Sequence, residues 1–298
     1  MLLIAGSTGF VGGHLVSFLR QNGIPARCLV RNPGKTGPWA GMEIVRGDLN
    51  NIPEGALDGV DMVVHLVGII REEHGQTFGS VHVKGTENLV MKALAAGTRL
   101  FFFQSALGAH RNPGLPYLDS KAQAEEIVQD SGLDYVIFRP SLILGPGDGF
   151  TEQMVQLIKS FPVLPVPGNG ESRLQPIYIN DWLKCFQKIL EEKKAGVQKN
   201  EVVSLGGPEH LTFNRMLALY MDALGIHPKI IHIPMGMVRA GLGFFAAARL
   251  AGIKSLPPLT GEQLELLSMD NITSLSAVQD RFGFQPASPA GFIREFVG

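Results

Sequence analysis

The sequence contains little cysteine. Among its 298 residues only Cys28 and Cys185 are cysteines, and each falls within an apolar run. Their spacing matches no zinc ligand set, no redox pair and no disulfide framework. We therefore expect two buried free thiols, which fits a cytoplasmic location better than an oxidising compartment.

The chain also lacks an excess of either positive or negative charge. The formal net charge at pH 7 is −1. This balance gives no electrostatic basis for binding nucleic acid. We also predict no metal site.

Long uncharged apolar runs are absent, and none reaches the ~18 residues that a membrane span requires. The best candidate, residues 233–253, is interrupted by Arg239 and Arg249. It favours a packed helix, with an amphipathic helix on a membrane surface as the alternative. No basic segment of the signal-peptide type precedes the first apolar run. We therefore expect a cytoplasmic protein, with peripheral membrane attachment left open.

Short apolar runs alternate with segments of helical spacing. Hydrophobic residues make up 45% of the chain, enough for a sizeable core. The alternation predicts βαβ units, and hence an α/β fold with a doubly wound parallel sheet. The predicted strands are residues 2–5, 26–30, 62–66, 100–104, 135–138 and 202–205, and the predicted helices between them include 12–22, 83–96 and 120–131.

The amino-acid composition changes after Pro140, and residues 145–149 and 162–170 are rich in glycine and proline. Such segments form turns, and they indicate that the chain leaves the sheet. We predict a first domain of residues 1–145 with a returning segment at about 176–205. Residues 146–175 and 206–298 would form a smaller, mainly helical lobe, with helices at about 213–224 and 235–250 and a loop around Pro257 and Pro258.

Three glycines follow the first strand at a regular spacing. Gly6, Gly9 and Gly12 form a G-x-x-G-x-x-G pattern between a predicted strand and a predicted helix. In a dinucleotide site, such glycines provide a tight turn, close approach of the backbone to the pyrophosphate, and close helix–sheet packing. The helix N-terminus offers free amides to the phosphates. The sequence therefore predicts a Rossmann domain that binds a nicotinamide dinucleotide.

The end of the second strand bears on the choice of dinucleotide. A site for NAD usually has an acidic residue there for the ribose 2′-hydroxyl. This chain has Arg31 and Asn32 instead, with Lys35 nearby. Two cations suit a 2′-phosphate, so we predict NADP(H) in preference to NAD(H), although both charges could also be ordinary surface residues.

With these motifs in place, the chain resembles the extended or atypical branch of the short-chain dehydrogenase/reductase superfamily, which includes epimerase/dehydratase-like proteins. Residues 117–121 match its Y-x-x-x-K motif, and residues 85–89 and 178–181 resemble two further segments of the family. The resemblance implies the following cofactor-contacting residues: Gly6, Thr8, Gly9, Phe10, Val11, Gly12, Arg31, Lys35, Asp48, Leu49, Leu66, Val67, Gly68, Tyr117, Lys121, Pro140 and Ser141.

One subgroup fits better than the others. Residues 104–109, 259–263 and 269–271 resemble proteins similar to the NADPH-binding accessory subunit of respiratory complex I. For this chain, the subgroup implies peripheral association with a membrane complex. Relatives in the superfamily often form homodimers.

Tyr117 and Lys121 are the candidate catalytic pair. A spacing of four residues places both on one face of a helix. An ammonium group and the nicotinamide charge would stabilise a phenolate, whose pKa is otherwise about 10. The resemblance implies that Tyr117 exchanges the hydroxyl proton while a hydride moves to or from the nicotinamide.

Two further positions match the family pattern less clearly. Ser105 is the candidate that polarises the substrate oxygen, but a shift of one residue would place Ala106 there instead. His82 stands where many relatives have asparagine, and we interpret it as a packed polar residue rather than a substitute.

Three functions remain open on the sequence alone. The first is an NADP(H)-dependent oxidoreductase acting on a small or lipophilic carbonyl or alcohol, since the second lobe is rich in large apolar residues. The second is a non-catalytic NADPH-binding structural or assembly protein. The third is a nucleotide-sugar epimerase or dehydratase, which is disfavoured because the 139–146 segment lacks an asparagine and because Arg173 and Arg239 do not form a cation cluster.

Overall fold

The computed structural model describes residues 1–35, 39, 41–112, 114–197, 200–238 and 261–297. They form two compact units, one of residues 1–140 and 179–205 and one of residues 141–178 and 206–298. The first unit ends at Pro140 rather than at residue 145, and it resumes at Ile179 rather than at about 176. The reason is that Ile143–Leu144 pairs with Ile177–Tyr178 inside the second unit. Most of the helix expected at about 235–250 lies outside the described residues. The same holds for several residues of that region: Arg239, Phe244, Phe245, Arg249, Pro257 and Pro258.

The first unit is built on a seven-stranded parallel sheet. Its strands are β1 (Leu2–Ala5), β2 (Ala26–Val30), β3 (Glu43–Arg46), β4 (Met62–His65), β5 (Leu100–Gln104), β6 (Asp134–Pro140) and β11 (Asn200–Leu205). They are arranged in the order β11-β6-β5-β4-β1-β2-β3, which confirms the predicted Rossmann-type α/β fold. The direction of winding reverses between β1 and β4, which are hydrogen-bonded neighbours.

Helices connect these strands. A π-helix, Gly79–Lys84, leads directly into the α-helix Gly85–Ala95, and a short 3-10 helix, Pro33–Lys35, follows β2. The α-helices of the unit are α1 (Phe10–Gln21), α2 (Gly85–Ala95), α3 (Pro116–Gln129) and α5 (Ile179–Lys194).

Strand β5 shows how the sheet separates two apolar layers. Successive side chains of a strand point to opposite faces. Phe101 and Phe103 belong to the core cluster that also contains buried residues of α2 and α3. Phe102 contacts the rings of Trp182 and Phe186 from α5. All three phenylalanines are fully buried, so one short strand contributes to the core on both faces.

The sequence did not predict β3 or α5. Strand β3 lies at the edge of the sheet, carries Glu43 and Arg46 at its ends and is largely exposed. An edge strand that buries so little leaves no clear apolar run in the sequence. Helix α5 begins at Ile179, within the 178–181 motif that marks the returning segment.

The second unit combines helices with three two-stranded sheets. Asp148 caps the helix Gly149–Ser160 by accepting a hydrogen bond from the Thr151 amide. Thr212 caps the helix Phe213–Leu224 in the same way, by accepting from the Arg215 amide. The helix predicted at 213–224 is present. The elements are β7 (Ile143–Leu144), α4 (Gly149–Ser160), β8 (Val163–Pro167), β9 (Arg173–Leu174), β10 (Ile177–Tyr178), β12 (Leu211–Thr212), α6 (Phe213–Leu224), β13 (Lys229–Ile233), α7 (Gly261–Ser268), α8 (Ala277–Phe282) and α9 (Pro289–Val297).

Within the residues that the structure describes, no helix is both long and apolar enough to cross a bilayer.

Candidate functional site

The candidate site lies at the carboxyl ends of the parallel strands in the first unit. In open α/β sheets, ligands bind at this edge where the winding reverses, which here is between β1 and β4. The glycine segment follows β1, residues 66–68 follow β4, and Ser105 follows β5. Strand pairing aligns these segments, since Ala5 pairs with His65 and His65 pairs with Phe103.

The glycine segment forms a tight turn between β1 and α1. Gly6 has a φ of 94°, and a Cβ there would lie 2.8 Å from the Leu66 carbonyl carbon. A Cβ at Gly12 would collide with the Gly6 carbonyl oxygen and lie 2.7 Å from Ser7 Cα. Helix α1 can therefore begin against the backbone of this turn only because both positions are glycine.

This turn fits a dinucleotide phosphate group. Gly9 is the N-cap of α1, no side chain caps the helix, and its first turn contains no acidic residue. The first amides of a helix have no partner within the helix, and the dipole there favours an anion. Thr8 and Gly9 are exposed at the turn, whereas Val11 and Gly12 are buried beneath it. We infer that the phosphates bind at the amides of Phe10, Val11 and Gly12.

Arg31 immediately follows β2 and is exposed. The pairing of Ala5 with Leu29 brings the end of β2 alongside the glycine turn. Lys35 is the last residue of the 3-10 helix, but its side chain lies outside the described part of the structure. Asp48 accepts hydrogen bonds from the amides of Asn50 and Asn51, while Leu49 is buried against Gly85.

Tyr117 and Lys121 lie in the first two turns of α3, which begins at Pro116 rather than at the predicted residue 120. Lys121 is only 4% exposed. Its Nζ donates a hydrogen bond to the Gln104 carbonyl oxygen at 3.1 Å and lies 5.1 Å from the centre of the Phe103 ring. The Tyr117 ring is half-buried and contacts the rings of Phe78 and His82 edge to face.

Burial changes the electrostatics of Lys121. Desolvation lowers its pKa to about 8, although the Glu125 carboxylate one turn later partly opposes this shift. Glu125 is itself buried and forms a bidentate ion pair with Arg139 of β6. The ammonium thus lies at the end of a row of charged groups that leads from β6 to the site.

Three buried polar atoms near Lys121 have no hydrogen-bond partner among the described residues: His65 Nδ1, Gln104 Oε1 and Ser105 Oγ. Native proteins rarely leave such atoms unsatisfied, so each indicates a place for a ligand or water. All three follow or end the adjacent strands β4 and β5. Ser105 places a buried hydroxyl at this edge, and its amide donates to the Phe138 carbonyl oxygen at 2.8 Å.

Residues 66–68, which follow β4, approach the candidate residue Lys121. A Cβ at Gly68 would lie 3.2 Å from Lys121 Nζ. Leu66 and Val67 are half-buried, and the Leu66 amide bonds to the Ala5 carbonyl. These residues connect the glycine turn with α3.

Pro140 and Ser141 fall in different units. Pro140 is the buried end of β6 in the first unit. Ser141 belongs to the second unit, where its hydroxyl donates to the Asn271 side-chain oxygen at 2.6 Å. Arg173 of the second unit is committed to an ion pair with Asp270.

Sequence reasoning missed Ser120, His65 and the Glu125–Arg139 pair. Ser120 directly precedes Lys121, and its place within the Y-x-x-x-K motif was the available signal. The ion pair joins residues from different elements, so no local pattern reveals it. In the described part of the chain, no group of three or more His, Cys, Asp or Glu side chains could hold a metal ion.

Comparison with known proteins agrees with this geometry. Residues 2–206 match the model of the NAD dependent epimerase/dehydratase family. The chain is 32% identical to a ceramide reductase of Caulobacter vibrioides, over 91% of this chain and 85% of that protein. It is 26% identical to NADH dehydrogenase [ubiquinone] 1 alpha subcomplex subunit 9 of Arabidopsis thaliana, over 92% of this chain and 69% of that protein.

The fold is shared with solved structures. One is a dTDP-glucose 4,6-dehydratase of Streptomyces venezuelae solved with NAD, with a TM-score of 0.75, 21% identity, and coverage of 99% of this chain and 95% of that one. The family match spans the glycine turn, residues 66–68 and the Tyr117–Lys121 pair. The chain therefore belongs to the NAD-dependent epimerase/dehydratase family and is a nicotinamide dinucleotide-binding protein of the extended short-chain dehydrogenase/reductase type.

Proposed function

We propose that the protein is an NADP(H)-dependent oxidoreductase that interconverts a lipophilic ketone and its alcohol. The observation that carries this proposal is the set of groups around Lys121. A buried ammonium and a tyrosine lie on one face of α3. The ammonium bonds to the end of β5, and the next residue, Ser105, has a buried hydroxyl without a partner among the described residues. These are the groups that reduction of a carbonyl requires.

The bound nicotinamide would supply or accept the hydride. Tyr117 would donate its phenolic proton to the ketone oxygen during reduction and accept it back during oxidation. The Lys121 ammonium would stabilise the phenolate that remains, and Ser105 would donate a hydrogen bond to the substrate oxygen. The reduction consumes one ketone, one NADPH and one proton and yields the alcohol and NADP⁺.

Two observations favour a lipophilic substrate. The ceramide reductase of C. vibrioides, whose name denotes a lipid substrate, is 32% identical over nearly the whole chain. Of the two arginines considered for a sugar diphosphate, Arg173 is already paired with Asp270, and Arg239 lies outside the described residues. A nucleotide sugar would need several cations.

Arg31 supports the preference for NADP(H). It is exposed at the end of β2 beside the glycine turn, where an acid would select the 2′-hydroxyl of NAD. A guanidinium there can pair with a 2′-phosphate.

The test is turnover by the purified protein. NADPH oxidation would be followed with a panel of long-chain ketones in mixed micelles, including an oxidised ceramide, and with nucleotide sugars. We expect oxidation with the lipid ketones and at least a 100-fold lower rate for Tyr117→Phe. Equal rates for the two proteins, or turnover confined to nucleotide sugars, would refute the proposal.

A second function is favoured by the likeness to subunit 9 of the Arabidopsis NADH dehydrogenase. In this case the protein would hold NADPH as a structural element of a membrane-associated assembly. Such a protein would retain NADPH through extensive dialysis and show no turnover that depends on Tyr117. An enzyme would exchange its cofactor freely.

A further inference from the structure

His82 occupies an unusual piece of backbone. It lies in the π-helix Gly79–Lys84 and is only 1% exposed. π-Helical turns inside helices occur frequently at functional sites. Its ring is stacked on Phe78 and meets the Tyr117 ring edge to face, with centroids 5.7 Å apart. The candidate catalytic phenol thus packs directly against this histidine.

Both ring nitrogens of His82 are engaged. Nε2 accepts a hydrogen bond from the Ile69 amide at 3.0 Å, and Nδ1 lies 2.8 Å from Ser120 Oγ. The Ser120 hydroxyl in turn donates to the Tyr117 carbonyl oxygen at 2.7 Å. Since Nε2 is an acceptor and the serine proton is already committed, Nδ1 must carry the hydrogen. The neighbours therefore select one neutral tautomer.

The surroundings keep the ring neutral. Burial and, secondarily, the nearby Lys121 charge lower the pKa of His82 to about 2. Protonation of Nε2 would break the bond from Ile69. The ring is therefore poorly suited to exchange protons but well suited to connect its neighbours.

Those neighbours belong to separate parts of the site. Ile69 continues residues 66–68, and a Cβ at Gly68 would lie 3.5 Å from His82 Nε2. Ser120 and Tyr117 belong to α3, the helix that carries Lys121. One side chain thus joins the segment assigned to the cofactor with the helix assigned to the chemistry.

We propose that His82 is a positioning residue that uses both ring nitrogens to hold α3 and the Tyr117 ring in register with residues 66–69. This inference rests on the proposed function of Tyr117. It assigns no proton transfer to His82.

Two amide substitutions can separate the two bonds. In His82→Asn, the shorter amide can still donate to Ser120 but no longer reaches Ile69. In His82→Gln, the longer amide can accept from Ile69 but loses the donor to Ser120. A buried group that loses its partner typically costs about 5- to 100-fold in an equilibrium or rate constant.

The expected results differ between the two variants. His82→Asn should weaken NADPH affinity by about 5- to 100-fold, because residues 66–69 lose their attachment. His82→Gln should leave NADPH affinity within about threefold but lower kcat by a similar factor, because the start of α3 is released. Ser120→Ala should reproduce the effect of His82→Gln. The double variant His82→Gln/Ser120→Ala should lower kcat no further than either single variant does.

Calorimetry with NADPH, steady-state kinetics and the ultraviolet titration of Tyr117 in the NADP⁺ complex provide the measurements. The titration is read as the difference from Tyr117→Phe, and we expect it to shift in His82→Gln. His227→Gln, at an exposed histidine of the second unit, is the matched control and should behave as wild type. Ser120→Ala breaks the α3 bond from the other side, so the test survives if a His82 variant fails to fold.

Wild-type NADPH affinity, kcat and Tyr117 titration in all His82 and Ser120 variants would overturn the proposal. So would loss of turnover in both His82 variants together with loss of an ionisation from the pH–rate profile, because that result would make His82 an acid–base group. If wild type turns over no substrate, the proposed function fails, but the NADPH affinities and the Tyr117 titration still decide the role of His82.

Discussion

At the scale of single residues, burial determines what the charged groups of the site can do. Lys121 and His82 are both almost inaccessible to water, and each is surrounded by backbone and aromatic atoms. Such burial disfavours the charged form. Arg31 is the opposite case, since it is exposed and available for an anion.

Replacing Lys121 should stabilise the fold. Its pKa is lowered from 10.5 to about 8, so at neutral pH the folded state bears the cost of a buried ammonium. Lys121→Met should raise the free energy of unfolding at pH 7 by about 1–3 kcal/mol, as judged by urea denaturation, while turnover falls at least 100-fold. The gain should shrink as the pH rises from 8 to 10.5, because the wild-type lysine then becomes neutral on folding. A loss of stability at pH 7 would contradict this account.

Removing the Arg31 guanidinium should change cofactor preference. Arg31→Ala should weaken NADPH binding by about 1–2 kcal/mol while leaving NADH affinity almost unchanged, because only NADPH carries a 2′-phosphate. Calorimetric titration with each cofactor gives both numbers. Arg20→Ala serves as the control, since Arg20 is exposed in the last turn of α1, at the end opposite Gly9. Unchanged NADPH affinity in Arg31→Ala would remove the basis for preferring NADP(H).

At the scale of elements, much of the first unit could be predicted from the sequence. Strands β1, β2 and β5 have the bounds that their apolar runs predicted, and the glycine turn has the predicted strand–turn–helix context. Buried parallel strands leave continuous apolar runs, so they are easy to recognise. The two-residue strands of the second unit leave no periodic pattern, and the π-helix has no local sequence signal.

The candidate site divides in the same way. The glycines, Tyr117 and Lys121 lie in local motifs whose spacing is visible in the sequence. His65 and Glu125 matter through partners in other elements, Thr86 for His65 and Arg139 for Glu125. Such partnerships arise only after the strands have paired, so no local pattern contains them.

The start of α1 offers a matched test of close packing. Gly12→Ala places a methyl group against the Gly6 carbonyl and Ser7 Cα, whereas a methyl at Gly13 meets nothing within 4 Å. Gly12→Ala should cost about 1–3 kcal/mol of stability and weaken NADPH binding. Gly13→Ala should gain up to about 1 kcal/mol, because alanine favours a helix over glycine. Thermal unfolding with and without NADPH measures the stability and the NADPH binding of both variants. Equal changes in stability for Gly12→Ala and Gly13→Ala would show that α1 can shift away from the turn.

At the scale of the whole molecule, the buried histidines should govern acid stability. Burial lowers the pKa of His65 to about 3 and that of His82 to about 2, against 6.5 in the unfolded chain. Between these values the unfolded chain binds protons that the folded protein does not, so stability falls as the pH drops below 6.5. Each such proton contributes a slope of about 1.4 kcal/mol per pH unit.

Urea denaturation between pH 6.5 and 4.5 should show this loss. His82→Asn, which cannot ionise, should reduce the slope by about one proton. An identical slope in wild type and His82→Asn would mean that His82 is protonated in the folded protein.

The division of the chain also orders its biosynthesis. Strand β6 ends at Pro140, and one of its two neighbours, β11, begins only at Asn200, after a whole segment of the second unit. While the ribosome extends the intervening residues, β6 presents an unpaired apolar edge, because the buried side chains of Val136, Ile137 and Phe138 line a strand that lacks its outer partner. Unprotected edges of this kind are where nascent chains pair with the wrong strand. The first unit is therefore first to emerge, but its sheet is completed only when Asn200–Leu205 follows a segment of the second unit, and β6 is open to such mispairing until then.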